Sequence, residues 1–174
     1  MNDVLPHALQ LAPGRDVPNH PRYPLLLYRQ VLPVSTADLA AAFEARFRAH
    51  DWPAQWRAGI YPYHHYHASA HEAFGIAAGS ARVRLGGEDG IDVELTAGDV
   101  LVLPAGTAHR GLEASADFVA VGAYPRGAGV DMHRAGGGMA RQRAQIANVP
   151  HPGADPAYGA AGALMRLWPT SPDS

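Results

Sequence analysis

The sequence predicts an all-β domain, a sandwich or a barrel of short strands of which the jelly roll is one form. Nineteen glycines and 15 prolines in 174 residues, with only 17% charged residues, are typical of a turn-rich β protein rather than a helical bundle. Apolar residues make up 47% of the chain, enough for one packed core. Between residues 55 and 125, apolar and polar side chains alternate with the period of two that half-buried strands show.

The first 54 residues are predicted to form an arm, a strand and one long helix. Residues 1–24 are rich in proline and have few periodic apolar positions, so we expect an arm laid on a surface. The apolar run from Leu25 to Val31 is bounded by prolines and predicts a strand. Ser35 to Asp38 is typical of a helix N-terminus with an acid in the first turn, and the helix should end near His50. Its buried face is marked, at four-residue spacing, by Leu39, Phe43 and Phe47.

A hairpin is the clearest element of the core predicted over residues 55–125. Apolar side chains alternate with arginines in residues 81–85 and with acidic residues in residues 91–95, and the glycine-rich segment between them predicts the turn. Residues 100–103 and residues 118–124 predict two further strands. Such a series of short strands is typical of a sandwich or barrel.

Residues 126–174 are predicted to be a loop-rich C-terminal extension of the same domain, so that residues 1–174 form one domain. Scattered glycines and prolines predict loops up to residue 160, interrupted by a short helix from about Met139 to Asn148. The mostly apolar segment from Leu164 to Trp168 predicts a last strand.

The absence of lysine and cysteine excludes several kinds of chemistry. All 14 positive charges are arginine, and the absence of lysine excludes a Schiff base, a pyridoxal phosphate anchor and a P-loop lysine. The absence of cysteine excludes a thiol nucleophile, a disulfide, a thiolate zinc site and an iron–sulfur cluster. Any metal ion must therefore be held by histidine, by carboxylates or by backbone oxygen.

The overall charge and the terminal sequence predict the cellular setting. A net charge of −2 offers no basic field for nucleic acid. The N-terminus lacks the basic and unbroken apolar regions of a signal peptide, and no stretch approaches a membrane-spanning length. We therefore expect a soluble cytoplasmic protein whose partners include neither nucleic acid nor membrane.

A cluster of histidines predicts a metal site. Four of the ten histidines fall within residues 64–71, and in a strand His65 and His67 would point to the same face. For a single histidine, a buried or surface side chain without any metal is the more common arrangement. Two histidines facing an apolar barrel beside a carboxylate favour the metal-binding alternative.

Two further side chains complete the predicted ligand set. The loop formed by residues 68–71 could return the chain and bring Glu72 alongside the histidine pair, and His109 would come from a separate turn. Three imidazoles and a carboxylate suit one divalent ion of the first transition row, such as Fe, Mn, Ni or Zn. Aromatic residues beside a barrel usually belong to its core, but three of them are candidate pocket residues: Tyr61, Tyr63 and Phe74.

The spacing of these residues resembles the two motifs of the cupin superfamily. In the first motif, intervals of five, one, four and six residues separate Gly59, His65, His67, Glu72 and Gly79. In the second motif, intervals of five, one and two residues separate Gly98, Pro104, Gly106 and His109. Only the final position departs from the pattern, with Glu113 where cupins usually have asparagine. The sequence outside the two motifs, including residues 122–125 and 155–168, resembles that of the small bacterial YjlB-like cupins.

The resemblance implies a cupin double-stranded β-helix, a jelly-roll barrel with the metal in its mouth. It implies that the ion is bound by His65, His67, Glu72 and His109. It also implies a homodimer built by exchange of N-terminal strands, for which Leu25 to Val31 is the candidate.

The third ligand has two candidates, because the first cupin motif allows three or four residues after its second histidine. Four residues leave Gly79 in place and favour Glu72 over His71. His71 would then be an acid/base or a hydrogen-bonding partner of a ligand near the mouth, or else a solvated loop histidine.

Two functions remain open on the sequence alone. The first is a metal-dependent enzyme acting on a small molecule, of the oxygenase type with Fe or Mn and of the isomerase or lyase type with Zn or Ni. The alternative is a non-catalytic module that binds a small molecule or a metal, since one fold hosts many functions. The complete set of four ligand positions favours chemistry.

Overall fold

Strands dominate the computed structural model, which describes residues 4–170. The predicted domain, residues 1–174, includes residues 1–3 and 171–174, which lie outside the described residues. The elements are β1 (His7–Leu9), β2 (Leu25–Tyr28), α1 (Leu39–Ala49), β3 (Ala54–Ala58), β4 (His65–Tyr66), β5 (Glu72–Ala78), β6 (Ser80–Leu85), β7 (Ile91–Thr96), β8 (Val100–Leu103), β9 (His109–Ala114), β10 (Val119–Ala123), β11 (His133–Arg134), α2 (Ala140–Ala147) and α3 (Leu164–Leu167).

The strands form two antiparallel sheets. One sheet has the order β1-β2-β8-β5-β10-β3 and the other β11-β4-β9-β6-β7. A cluster of buried apolar side chains contributed by both sheets, including Phe74, Leu101 and Leu85, fills the space between them. The all-β jelly-roll prediction is confirmed, with one difference. Among residues 4–170 the sheets are not hydrogen-bonded into one closed barrel, because the edge strands of one sheet pair with no strand of the other.

The inner strands of the six-stranded sheet are buried on both faces, whereas its edge strands β1 and β3 are largely exposed. Leu25 and Leu27 of β2 point into the cluster between the sheets, whereas Leu26 and Tyr28 point into a second cluster on the outer face. Helix α1 and the C-terminal tail cover that outer face. Burial on both sides explains why β2 and β8 are continuously apolar instead of alternating.

The hairpin predicted around residues 86–90 is present as β6 and β7, with Ala81 opposite Leu95 and Leu85 opposite Ile91. Its outer face carries exposed ion pairs, which contribute little to stability. One of them joins Arg82 Nη2 to Glu113 Oε1 at 2.8 Å, so the residue that departs from the second motif lies on the outside of the sheet.

Helix α1 begins where the sequence predicts a helix and ends at its C-cap, His50. The predicted first-turn acid, Asp38, is itself the cap, and its carboxylate accepts the N–H of Ala41 at 2.9 Å. Leu39, Phe43 and Phe47 are all buried, as predicted. A Cβ on Gly75 would lie 2.5 Å from the ring of Phe43, so the glycine lets α1 approach β5 closely.

The C-terminal extension contains one confirmed and one wrong prediction. Helix α2 lies within the predicted interval, with Met139 and Asn148 as its caps. The predicted strand from Leu164 to Trp168 is wrong, because this segment forms α3. The buried carboxylate of Asp155 accepts the first N–H of that helix at 3.1 Å, and its two fully buried side chains, Leu164 and Trp168, are four residues apart as on one helical face.

The N-terminal arm departs from its prediction in one respect, since it contains the edge strand β1. Strand β2, the predicted exchange element, lies in the chain's own sheet, where Leu26 pairs with Val102 of β8. Exchange with a second copy, like the cytoplasmic location, stays a prediction. Within residues 4–170, no helix is long and apolar enough to cross a membrane.

Candidate metal centre

Three buried imidazoles meet at one end of the space between the sheets. His65 of β4 lies directly opposite His109 of β9, and their ring centroids are 4.0 Å apart. His67 follows β4, and its ring centroid lies 5.9 Å from that of His65 and 5.8 Å from that of His109. One ring nitrogen of each histidine lies within 4.8 Å of the other two, close enough for the three to hold a metal ion.

Glu72 reaches the same point from the opposite sheet. It is the first residue of β5 and is 2% exposed. Its Oε2 lies 3.0 Å from Nε2 of His67 and 3.2 Å from Nε2 of His109. The structure therefore brings together all four side chains that the sequence marks as candidate ligands.

Backbone carbonyls orient all three imidazoles. In each ring Nδ1 lies at hydrogen-bonding distance from a carbonyl oxygen, which can only accept. Nδ1 of each ring therefore carries a proton, and Nε2 faces the centre of the cluster. For His65, His67 and His109 the acceptors are the carbonyls of Tyr63, Asp131 and Thr107.

The ionisation states follow from burial and from the single carboxylate. Burial, reinforced by the neighbouring His109, lowers the pKa of His65 to about 3, so this ring is neutral at pH 7. Burial also acts to lower the pKa of His67, but the carboxylate of Glu72 outweighs it and raises that pKa. Burial opposes ionisation of Glu72, yet His67 and His109 outweigh it and hold the pKa of the carboxyl well below its usual range.

Among residues 4–170, two buried atoms at the centre lack a hydrogen-bond partner. They are Nε2 of His109 and Oε2 of Glu72. Both can bind a cation, and leaving such polar groups buried and unpaired costs about 1–3 kcal/mol each. A shared cation would satisfy both, so the donor set fits a divalent first-row metal ion.

Behind Glu72, Trp56 and Tyr124 form a hydrogen-bonded chain, of which the sequence analysis missed Tyr124. The hydroxyl of Tyr124 donates to Glu72 Oε1 at 2.6 Å and accepts the indole N–H of Trp56 at 3.0 Å. The signal was present in β10. Ala120 faces the space between the sheets, and counting on by twos through Gly122 reaches Tyr124.

Asp131 was also missed, because it lies in an irregular segment without periodicity. Besides the carbonyl that accepts from His67, its Oδ1 accepts the N–H of Ala68 at 2.8 Å and that of Ser69 at 3.1 Å. Its Oδ2 lies 2.9 Å from Nε2 of His133. These contacts tie the segment after Pro125 to the loop that follows β4.

A cavity of about 320 Å³ opens onto the cluster. Its lining consists of Trp56, Ala58, Gly59, Ile60, Tyr61, His65, His67, Glu72, Phe74, His109, Tyr124 and Met132. The structure thus places Tyr61 and Phe74 at the cavity, as predicted. Tyr63 is not part of the lining, because its ring is stacked on Tyr61 and takes the guanidinium of Arg134 over its face at 3.7 Å.

His71 does not take the acid/base role predicted for it. Successive side chains point to opposite sides, and since Glu72 points into the cluster, His71 points away. Its Nδ1 accepts the N–H of Ala105 at 2.9 Å and its ring packs 4.8 Å from that of Trp168. It is fully buried, so it is not a solvated loop histidine either, and it borders a separate cavity of about 480 Å³ that contains none of the three imidazoles.

Comparison with known proteins finds relatives in sequence. Residues 56–121 match the family described as the cupin domain. The chain is 36% identical over 154 residues to the uncharacterized protein YjlB of Bacillus subtilis (strain 168), an alignment that covers 87% of this chain and 90% of that protein.

Similar solved structures include RmlC from Streptococcus suis in complex with dTDP-D-xylose, at 16% identity over 71% of both chains and a TM-score of 0.35. The 11S allergen from Cocos nucifera is 21% identical over 71% of this chain and 33% of that chain, with a TM-score of 0.35. At these scores neither likeness bears on what this chain does.

Proposed function

The chain belongs to the cupin family, as a relative of YjlB, and we propose that it is a metal-dependent enzyme acting on a small molecule. One observation carries the proposal. Three buried histidines converge on the buried carboxylate of Glu72, and among residues 4–170 its Oε2 and Nε2 of His109 have no hydrogen-bond partner. This arrangement is unfavourable without a cation between the groups.

The residues proposed to hold the ion are His65, His67, His109 and Glu72. When bound, Fe or Mn would supply oxygenase-type chemistry, and Zn or Ni would supply the Lewis acidity that isomerases and lyases use. The carbonyls behind the rings keep each Nε2 directed at one point, and Tyr124 holds Oε1 of the carboxylate so that Oε2 faces the imidazoles.

The remaining wall of the cavity suits a small molecule. The cavity has a volume of about 320 Å³, which lies at the lower end of the range of ligand pockets. Trp56 and Phe74 contribute apolar ring surface to the lining, and low polarity beside the cluster strengthens electrostatic interactions there. At the mouth Tyr61, 53% exposed, presents its ring beside His65.

One observation favours the alternative of a non-catalytic binding module. The predicted acid/base, His71, lies outside the cavity, and the hydroxyl of Tyr124 is already donated to Glu72. Proton transfer therefore has no dedicated buried side chain apart from the proposed ligands.

The proposal is tested by elemental analysis of untagged protein that has never been exposed to a nickel column. We expect about one equivalent of a divalent first-row metal per chain, as four ligands around one ion require. Its identity directs the search for activity, toward oxygen consumption for Fe or Mn and toward isomerase or lyase substrates for Zn or Ni.

The His109→Ala variant should lose the metal while staying folded, and the exposed His7→Ala variant should keep it. Wild-type protein that arrives empty, and stays empty when offered each ion in turn, would refute the metal-dependent function and leave the binding module.

A further inference from the structure

We propose that the cavity accepts a ligand with one oxygen-bearing end at the imidazoles and an uncharged, aromatic or aliphatic body. The inference rests on the proposed function, because the oxygen-bearing end is assigned to the metal. It goes further by naming the class of ligand from the wall of the cavity.

The wall away from the imidazoles is apolar and largely aromatic. The rings of Trp56 and Phe74 meet edge to face with centroids 5.5 Å apart, and Phe74 in turn lies 5.5 Å from the ring of His109. Ile60 and Met132 complete this surface. A flat apolar body placed there would bury its faces against rings, as aromatic pairs prefer.

The indole of Trp56 owes its position to a glycine. A Cβ on Gly122 would lie 1.8 Å from the indole, so the ring lies directly on the backbone of β10. Only glycine allows this contact, and the contact makes the indole part of a rigid wall rather than a mobile surface side chain.

Apart from the atoms that face the centre of the cluster, the polar side-chain atoms of Trp56, Tyr124 and the imidazoles are already paired with protein. The indole N–H of Trp56 is donated to Tyr124, the hydroxyl of Tyr124 to Glu72, and each imidazole Nδ1 to a carbonyl. A polar group in the ligand's body would lose its water without gaining one of these partners, which costs about 1–3 kcal/mol.

Among the described residues, no arginine lines the cavity to balance a negative charge on the body of a ligand. All 14 cations of the chain are arginines, and among residues 4–170 none of them lines this cavity. Arg134 lies nearby but against the face of Tyr63, outside the lining. The carboxylate of Glu72 already balances part of the charge of the ion proposed at the cluster, and an anionic group in the ligand's body would find no arginine beside it. Phosphorylated, dicarboxylate and similar bodies are therefore disfavoured in the inner cavity.

The proposed class of ligand is tested by calorimetry on zinc-loaded protein, with three hydroxamates that share the same metal-binding end. They are acetohydroxamate, benzohydroxamate and 4-carboxybenzohydroxamate. We expect benzohydroxamate to bind at least about tenfold more tightly than acetohydroxamate, because the ring buries more apolar area. We expect the added carboxylate to weaken binding again by at least about tenfold.

The Trp56→Ala variant should reduce the advantage of benzohydroxamate over acetohydroxamate, and Tyr63→Ala, outside the lining, should leave it unchanged. Equal affinities for acetohydroxamate and benzohydroxamate, or undiminished affinity for the carboxylated probe, would overturn the inference.

Metal-free protein provides a test that does not depend on the proposed function. Here 1-naphthol should bind and 5-hydroxy-1-naphthoate, which carries a charge on its body, should not, and Trp56→Ala should abolish naphthol binding. Failure to take up zinc would refute the metal-dependent function alone. A metal-free cavity that binds 5-hydroxy-1-naphthoate as well as naphthol would refute the assignment of an uncharged body.

Discussion

Acidification from pH 7 to pH 5 should remove much of this protein's stability, because three buried histidines resist protonation in the folded state. Burial, helped by Arg22, lowers the pKa of His20 to about 4. Burial together with a neighbouring histidine lowers the pKa of His65 and that of His71 to about 3. In the unfolded chain all three would titrate near 6.5.

The sign and size of the effect follow from proton linkage. Below pH 6.5 the unfolded chain takes up three protons that the folded chain does not, so the free energy of unfolding decreases as the pH falls. At pH 5 each group contributes a loss of about 2 kcal/mol, and the three together about 6 kcal/mol. The raised pKa of His67, which Glu72 brings about against the effect of burial, acts in the opposite direction and offsets part of this. Domains commonly have only about 5–15 kcal/mol of stability.

Urea unfolding at pH 7, 6 and 5 in the presence of a chelator measures this loss, with the fluorescence of the buried Trp52 and Trp168 as the signal. The His71→Gln variant isolates one group, since glutamine can still accept the N–H of Ala105. Between pH 6 and pH 5 its stability should change less steeply than that of the wild type, by about 1.2 kcal/mol.

The exposed His7→Gln variant is the matched control and should keep the wild-type slope. Parallel slopes for His71→Gln and wild type would show that His71 is protonated in the folded state, and would refute the reasoning.

Three further substitutions have defined outcomes. Tyr124→Phe removes the hydroxyl that positions Glu72, and should weaken metal binding about 10–100-fold, measured by competition with a chelator. Gly122→Ala places a methyl group 1.8 Å from the indole of Trp56, and should cost about 1–3 kcal/mol in urea unfolding. Asp155→Ala leaves one buried hydroxyl and three N–H donors without their acceptor, and should cost at least about 3 kcal/mol by the same measurement.

Matched controls accompany each of these substitutions. Tyr63→Phe should keep the metal affinity, because this ring lies outside the cavity. Gly129→Ala should be nearly neutral, since a Cβ there meets no atom within 4 Å. Asp89→Ala changes an exposed carboxylate and should also be nearly neutral. A variant and its control that behave alike would contradict the corresponding contact.

Patterns within a segment predicted those helices and strands whose structure does not depend on contacts with distant residues. The alternation in residues 81–95 was enough for the hairpin, and the spacing of Phe43 and Phe47 was enough for α1. The segment from Leu164 to Trp168 could not be decided in this way, because four apolar residues interrupted by Arg166 fit a strand or a helix equally well. The carboxylate of Asp155, a tertiary contact, selects the helix.

The residues of the candidate site also fall into those that sequence spacing predicts and those whose position depends on tertiary contacts. Motif spacing was enough to bring His65, Glu72 and His109 together, because each begins a strand of the two-sheet framework. The position of His71 depends on what covers the opposite face of the sheet, where Trp168 arrives from the far end of the chain. Asp131 acts through its backbone carbonyl, which any residue type could supply, so no sequence pattern marks it.

The carbonyls behind the three imidazoles imply an order of assembly during folding. His65 and His109 each donate to the residue two positions before them, so these rings take their orientation as soon as their own strand ends form. His67 donates to Asp131, 64 positions further along the chain, and must wait for that segment to dock. The cluster is therefore completed late, and a change in the length of the connection after Pro125 would alter the third imidazole while leaving both sheets intact.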